Sequence, residues 1–107
     1  MGAPVLTVKG RKSGKEYKIP LLPIQVDGVG YLLATRGESD WVKNLRASDV
    51  AWFKQKGKKT EFRPVEVFGD ERAKVVARYQ KINKATKTYF DRLPNPDDHP
   101  TFKMETA

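Results

Sequence analysis

The 107-residue sequence has no cysteine and a single histidine, His99. Without cysteine there is no disulfide framework, no thiolate zinc site, no cysteine-ligated iron–sulfur cluster and no cysteine nucleophile. One imidazole likewise excludes a histidine-rich metal centre. No apolar run approaches the roughly 18 residues that a membrane-crossing helix needs. The opening stretch MGAPVLTVKGRKSG has neither a basic region ahead of a long apolar segment nor a cleavage signal. The expectation is therefore a cytoplasmic protein with no membrane span. The glycines do not form the dinucleotide-binding fingerprint, and Gly10-Arg11-Lys12-Ser13-Gly14-Lys15 lacks the spacing of the phosphate loop of nucleoside triphosphatases, so ATP chemistry has no support.

Acidic residues are also scarce, 13 against 21 lysines and arginines, which leaves a net charge of +8 and makes an anionic partner the natural expectation. Apolar content is adequate: 38% of residues are hydrophobic, and five Phe, four Tyr and two Trp are spread along the chain. That is too much for a disordered polyelectrolyte and about right for one small core, so residues 1–107 read as a single domain.

Val5 to Lys9 alternates as a short strand, and Arg11 to Lys15 break it as a turn before an extended stretch from Tyr17 to Val26. Pro20 and Pro23 cannot donate to a ladder, which predicts an edge, bulge or bend in that stretch. Asp27-Gly28 marks a turn into a third strand, Val29 to Thr35. Ser39 or Asp40 is placed to cap a short helix in which Trp41 and Leu45 share a face and Asn44 and Arg46 stay available for contacts. Val50–Gln55 and Lys58–Phe68 form a second hairpin around Lys56-Gly57, with Ala51, Phe53, Phe62, Val65 and Val67 as core members. Gly69-Asp70 opens a helix to about Lys84, with Val75, Val76, Tyr79 and Ile82 as one stripe. The proline-rich run from Leu93 to Pro100 excludes regular helix, and Thr101 to Met104 returns as a strand. Five or six strands with short connections predict a mainly β fold with α: a small, partly open, split β-barrel of predominantly antiparallel strands with two or three packed helices.

Two basic clusters stand out. Lys9, Arg11, Lys12, Lys15 and Lys18 face one acid, Glu16, around a Ser13-Gly14 turn that brings a hydroxyl and backbone amides beside the cations; such a turn suits a phosphate, or else is a solvated hairpin tip. Lys54, Lys56, Lys58 and Lys59 surround the second turn and read as solubility or weak nonspecific attraction. Trp41 and Leu45 are core anchors by spacing, with ring stacking as the other reading of Trp41. His99, between Asp98 and Pro100, reads as a loop histidine rather than a general base.

Taken in order, Leu6-Thr7-Val8-Lys9-Gly10-Arg11-Lys12-Ser13-Gly14-Lys15, Pro20-Leu21, Asp27-Gly28 and Trp41-Val42-Lys43-Asn44-Leu45-Arg46-Ala47 resemble the deazaflavin-dependent nitroreductase family, and the resemblance runs more loosely to Pro100-Thr101-Phe102. It implies a split barrel of the flavin-reductase-like superfamily. It also implies an oxidoreductase, nitroreductase- or quinone-reductase-like, that uses coenzyme F-420, an 8-hydroxy-5-deazaflavin, to move a hydride to or from a small organic substrate. The coenzyme's phosphate and glutamate-rich tail would be the anionic partner. By motif correspondence, Arg11, Lys12, Ser13 and Lys15 hold the phosphate and carboxylate end, and Gly14 permits close backbone approach. Trp41 and Asn44 line the ring or its linker, and Arg46 supports the fold. No residue is assigned a catalytic role and no metal is expected.

Members of that family commonly carry a helical segment before the GRKSGK region, and their counterpart of Lys84–Asp98 is richer in aromatics; here Tyr89 and Phe90 are the residues available for a pocket wall. The alternatives are a noncatalytic protein of the same fold holding flavin (FMN), deazaflavin or haem, and a nucleic-acid-binding module built on Lys54–Lys59, which lacks any accompanying motif. A homodimer that closes a barrel edge is a further expectation.

Overall fold

The computed structural model of the chain describes residues 3–106. The break at the two prolines organises the whole sheet. Strand β1 (Val5–Lys9) pairs with β2 (Glu16–Pro20), but the chain then leaves the ladder at Leu21 and re-enters as β3 (Ile24–Val26) beside β4 (Val29–Leu33). The remaining strands are β5 (Ala51–Gln55), β6 (Lys58–Val67) and β7 (Thr101–Thr106), in the spatial order β2-β1-β5-β6-β7-β4-β3 with every pair antiparallel. The single extended stretch expected from Tyr17 to Val26 is thus two strands at opposite edges of one sheet. Proline lacks an N–H and donates nothing to a ladder, and here β2 ends on Pro20 at the edge of the sheet. This division also raises the strand number to seven.

The sheet curls into a half-barrel, the split-barrel architecture expected. Alternation along each strand sends neighbours to different cores. Leu32 and Ala34 join Leu6, Val8, Ala51, Phe53, Phe62 and Phe102 on one face, where helix α1 (Asp40–Arg46) adds Val42 and Leu45. Tyr31 and Leu33 join Ile24, Val26 and Val67 on the other, under Val75, Val76 and Tyr79 of α2 (Gly69–Ile82) and Phe90 of α3 (Lys87–Arg92). Val42 and Leu45 are completely buried, which contributes about 2 kcal/mol each and seats α1 firmly enough to position polar groups.

Two turns are fixed by backbone conformation. Asp27 and Gly28 have φ of 53° and 80°, and Lys56 and Gly57 have 53° and 78°, the paired positive values of tight two-residue hairpin turns. Other details differ from expectation. Ile82, the last residue of α2, is 55% exposed rather than part of the buried stripe, because the chain turns away at Asn83. Val65 is only half-buried. Ser39 is the N-cap of α1 by position, yet its hydroxyl makes no capping bond. Helix α3 makes the third of the two or three helices expected, but the sequence does not locate it: its one buried residue, Phe90, gives too little periodicity to read.

Candidate functional site

The β1–β2 turn is organised by its own backbone. Gly10 N–H donates to the Lys15 carbonyl (2.7 Å), Gly14 N–H to the Gly10 carbonyl (3.0 Å), and Lys15 N–H to Ser13 Oγ (3.2 Å). Gly14 sits at φ +73°, where a side chain would be strained. The amides of Lys12 and Ser13 find no acceptor among the described residues, leaving two donors at the tip of a cationic turn.

A second tie fastens this turn to α1. Asn44, only 6% exposed, accepts at Oδ1 from both the Arg11 amide (3.1 Å) and Arg11 Nη1 (2.7 Å) across 33 residues of sequence. Arg11 Nη2 also lies 3.8 Å from the Asp40 carboxylate. The hairpin and helix therefore flank an open cavity of about 470 Å³ with Arg11, Lys12, Ser13 and Tyr17 on one side and Asp40, Trp41 and Asn44 on the other. The two motifs that carried the family resemblance meet around one space. Lys15 and Gly14 fall outside its lining, Lys15 exposed on the rim and Gly14 shaping the turn.

Trp41 and Ile19 form a partition. On their far side lies a second cavity of about 440 Å³, walled by Leu21, Leu33, Thr35, Arg36, Ser39, Tyr79 and Tyr89 among others. Trp41 is half-buried and leans on Phe102 at 6.4 Å between ring centroids, so it is core anchor and cavity wall at once. Arg36 Nη2 donates to Tyr89 Oη (2.9 Å), with its guanidinium carbon 5.1 Å from the ring centroid. Ser39 Oγ is buried there with no partner among the described residues. Phe90, read with Tyr89 as a pocket wall, lies behind it at 3% exposure, against Tyr79 and His99.

Arg46 supports the fold. Its guanidinium bonds Glu66 (2.7 and 2.9 Å) and Glu38 (2.9 and 3.0 Å), tying α1 to β6, and this bond holds the Glu38 carboxyl below the usual range. Burial raises the Tyr79 phenol above its ordinary value. His99 is in a loop, as read, but is completely buried. Tyr17, Ile19, Arg36 and Ser39 were missed as site residues. Gly10 gives one signal for Tyr17: a Cβ there would come within 2.7 Å of the Tyr17 ring, so glycine makes room for it. The Lys54–Lys59 tip sits at the opposite end of the half-barrel, where Lys56 and Lys58 border an open groove together with Glu61 and Glu105. Among the described residues no cluster of metal-binding side chains occurs, and no helix is long and apolar enough to cross a membrane.

Among solved structures, an F420-H2 dependent reductase (FDR-A) superposes with a TM-score of 0.78 at 21% identity, covering 95% of this chain and 92% of that one. A protein described as a domain-swapped dimer gives 0.74 at 21% identity, covering 95% and 78%. A FAD-binding protein from Mesorhizobium loti gives 0.62 at 15% identity, covering 99% and 82%. These likenesses show a common fold, one used for both flavin and deazaflavin proteins. No curated protein sequence matches the chain. The family model of the F420H(2)-dependent quinone reductases matches residues 1–95, which include both motifs and both cavity walls of α1. The chain therefore belongs to the F420H(2)-dependent quinone reductase family and is an F420-linked oxidoreductase.

Proposed function

We propose that the first cavity holds the anionic end of coenzyme F-420 and that the second receives an organic acceptor beside the deazaflavin ring. The observation that carries this reading is the Arg11–Asn44 tie, which fixes a cationic turn against the helix whose Trp41 borders both cavities. Arg11, Lys12 and Lys15 supply charge, and Ser13 and the free Lys12 and Ser13 amides supply donors, a set that fits phosphate and carboxylate oxygens. Gly14 lets the backbone approach closely. Asn44 acts through Arg11, and Trp41 offers its indole edge or face to the ring or linker.

When bound, the deazaflavin supplies the hydride chemistry, so the chain needs no catalytic side chain of its own. Its work is to hold ring and acceptor in register and to exclude water, which the apolar walls Ile19, Leu21, Leu33 and Trp41 favour. Two cavities of about 470 and 440 Å³ are each within the range of small-molecule sites.

The test is a fluorescence and absorbance titration with oxidised coenzyme F-420, with FMN and haem in parallel, on wild type, Lys12→Ala and Lys15→Ala. Selective deazaflavin binding weakened by either substitution is expected, followed by oxidation of the reduced coenzyme by a quinone. Preference for FMN or haem, or binding without turnover over a broad acceptor panel, would shift the reading to a noncatalytic cofactor carrier. A homodimer is proposed on the open edges of β2 and β3, and sedimentation would measure it.

A further inference from the structure

His99 lies beyond the residues matched by the family model and takes no part in the reading above, yet it is completely buried and bonded on every side. Its Nδ1 is 2.9 Å from the Ala34 carbonyl oxygen and its Nε2 is 2.7 Å from the Leu93 carbonyl oxygen. Its own amide donates to the Pro96 carbonyl (3.1 Å), and its carbonyl accepts from Thr101 Oγ1 (2.9 Å). The ring packs against Phe90, tilted by 37° with centroids 4.5 Å apart.

The two carbonyls adjoin the two walls of the second cavity without lining it. Ala34 is followed directly by Thr35 and Arg36. Leu93 ends α3, and its amide donates to the carbonyl of Tyr89 (3.0 Å). The imidazole therefore spans the gap between the segment carrying Arg36 and the helix carrying Tyr89, the same two residues that meet across the cavity at 2.9 Å. Both partners of the ring are acceptors only. A neutral imidazole has one N–H and can satisfy one of them, whereas an imidazolium donates to both.

We infer that His99 is a positioning residue: its ring, held between the Ala34 and Leu93 carbonyls, sets the spacing of the Arg36 and Tyr89 walls of the second cavity. Substrate does not touch it; it acts through the backbone of both walls. No carboxylate is among its hydrogen-bond partners. The charged groups on the surrounding elements are Asp97 and Asp98 on its own turn, Asp91 and Arg92 on α3, Arg36 beyond Ala34, and Arg72 of α2, which pairs with Asp97 at 2.6 Å.

The role rests on the assignment of the second cavity to the acceptor, and two measurements separate the two ideas. In ¹⁵N-labelled protein, replacing the ring by His99→Gln should shift the backbone amide NMR signals of Thr35, Arg36 and Tyr89 together while those of the Lys56-Gly57 turn stay in place. Amides of Thr35, Arg36 and Tyr89 that do not move overturn the inference whether or not coenzyme binds.

In the second measurement, His99→Gln can bond one carbonyl but not both. It should raise KM for a soluble benzoquinone about tenfold while coenzyme affinity and kcat stay near wild type. Unchanged KM, or an equal loss in coenzyme affinity, overturns the positioning role. If wild type binds no deazaflavin, the functional reading fails while the NMR result still decides the latch.

Discussion

The two lysine-rich hairpins carry similar charge and are built differently. The β1–β2 turn places Arg11 where its amide and guanidinium both reach the buried Asn44 Oδ1, and Gly14 at φ +73° closes it. The β5–β6 turn is a two-residue reversal at Lys56-Gly57, and among the described residues the side chains of Lys54, Lys56, Lys58 and Lys59 make no hydrogen bond or ion pair; Lys59 lies 5.7 Å from the Trp52 ring centroid. Positive charge is common to both. A bond to a buried amide on a second element distinguishes one, and that bond makes a flexible cationic loop into a cavity wall whose donors are fixed before a ligand arrives.

The largest effect should come from breaking the fixed hairpin itself. Arg11→Ala removes a charge from the first cavity together with one of Asn44's two donors, and is expected to weaken coenzyme binding by about 2 kcal/mol, near thirtyfold. Isothermal titration measures it, and a loss no greater than that of Lys56→Ala would erase the distinction between the two turns.

Next in size, Asn44→Ala leaves the Arg11 amide and guanidinium without their acceptor and should lower unfolding stability by about 2 kcal/mol, seen in urea melts. Coenzyme affinity should fall in parallel even though Arg11, Lys12, Lys15 and the Ser13 hydroxyl of the turn remain. If affinity is untouched, charge alone makes the site.

Tyr31→Phe gives a reference away from both hairpins. Tyr31 on β4 donates to Glu71 on α2 (2.7 Å), and burial, reinforced by that bond, pushes its phenol up to about 12. The variant should lose about 1 kcal/mol near neutral pH. A phenol whose folded pKa is raised contributes stability that is complete below its unfolded value of about 10 and is lost as pH climbs through the folded one. The gap between wild type and variant should therefore close between pH 10 and about 12, and a gap constant over that window counts against the buried bond.

The smallest effect belongs to the other hairpin: Lys56→Ala with Lys58→Ala should change stability by less than about 0.5 kcal/mol and leave coenzyme affinity within twofold. A substantial loss of affinity would mean that the groove they border takes part in binding.

Much of this architecture was legible along the chain. Alternation placed Ala51, Phe53, Phe62 and Val67 in the core, and Asp27-Gly28 and Lys56-Gly57 located two tight turns, because both signals are local. The prolines announced trouble in the second strand, but not that β2 and β3 would part to opposite edges, since pairing partners lie far away in sequence. The GRKSGK and WVKNLRA motifs marked the candidate site; Tyr17, Arg36 and Ser39 were not legible because each becomes a wall only through elements distant in sequence.

The sequence by itself determined the chemical inventory: no thiol, one imidazole, a surplus of cations gathered at two turns, and enough apolar alternation for a small antiparallel barrel. Only the tertiary structure decided which of those groups act together. Asn44 reaches Arg11 across 33 residues, Trp41 divides two cavities, and His99 joins Ala34 to Leu93 from a loop that gave no sign of being buried. The reason is physical: composition and periodicity report each residue's own preference for water or core, whereas a site depends on which donors and acceptors the closed sheet brings within about 3 Å of one another.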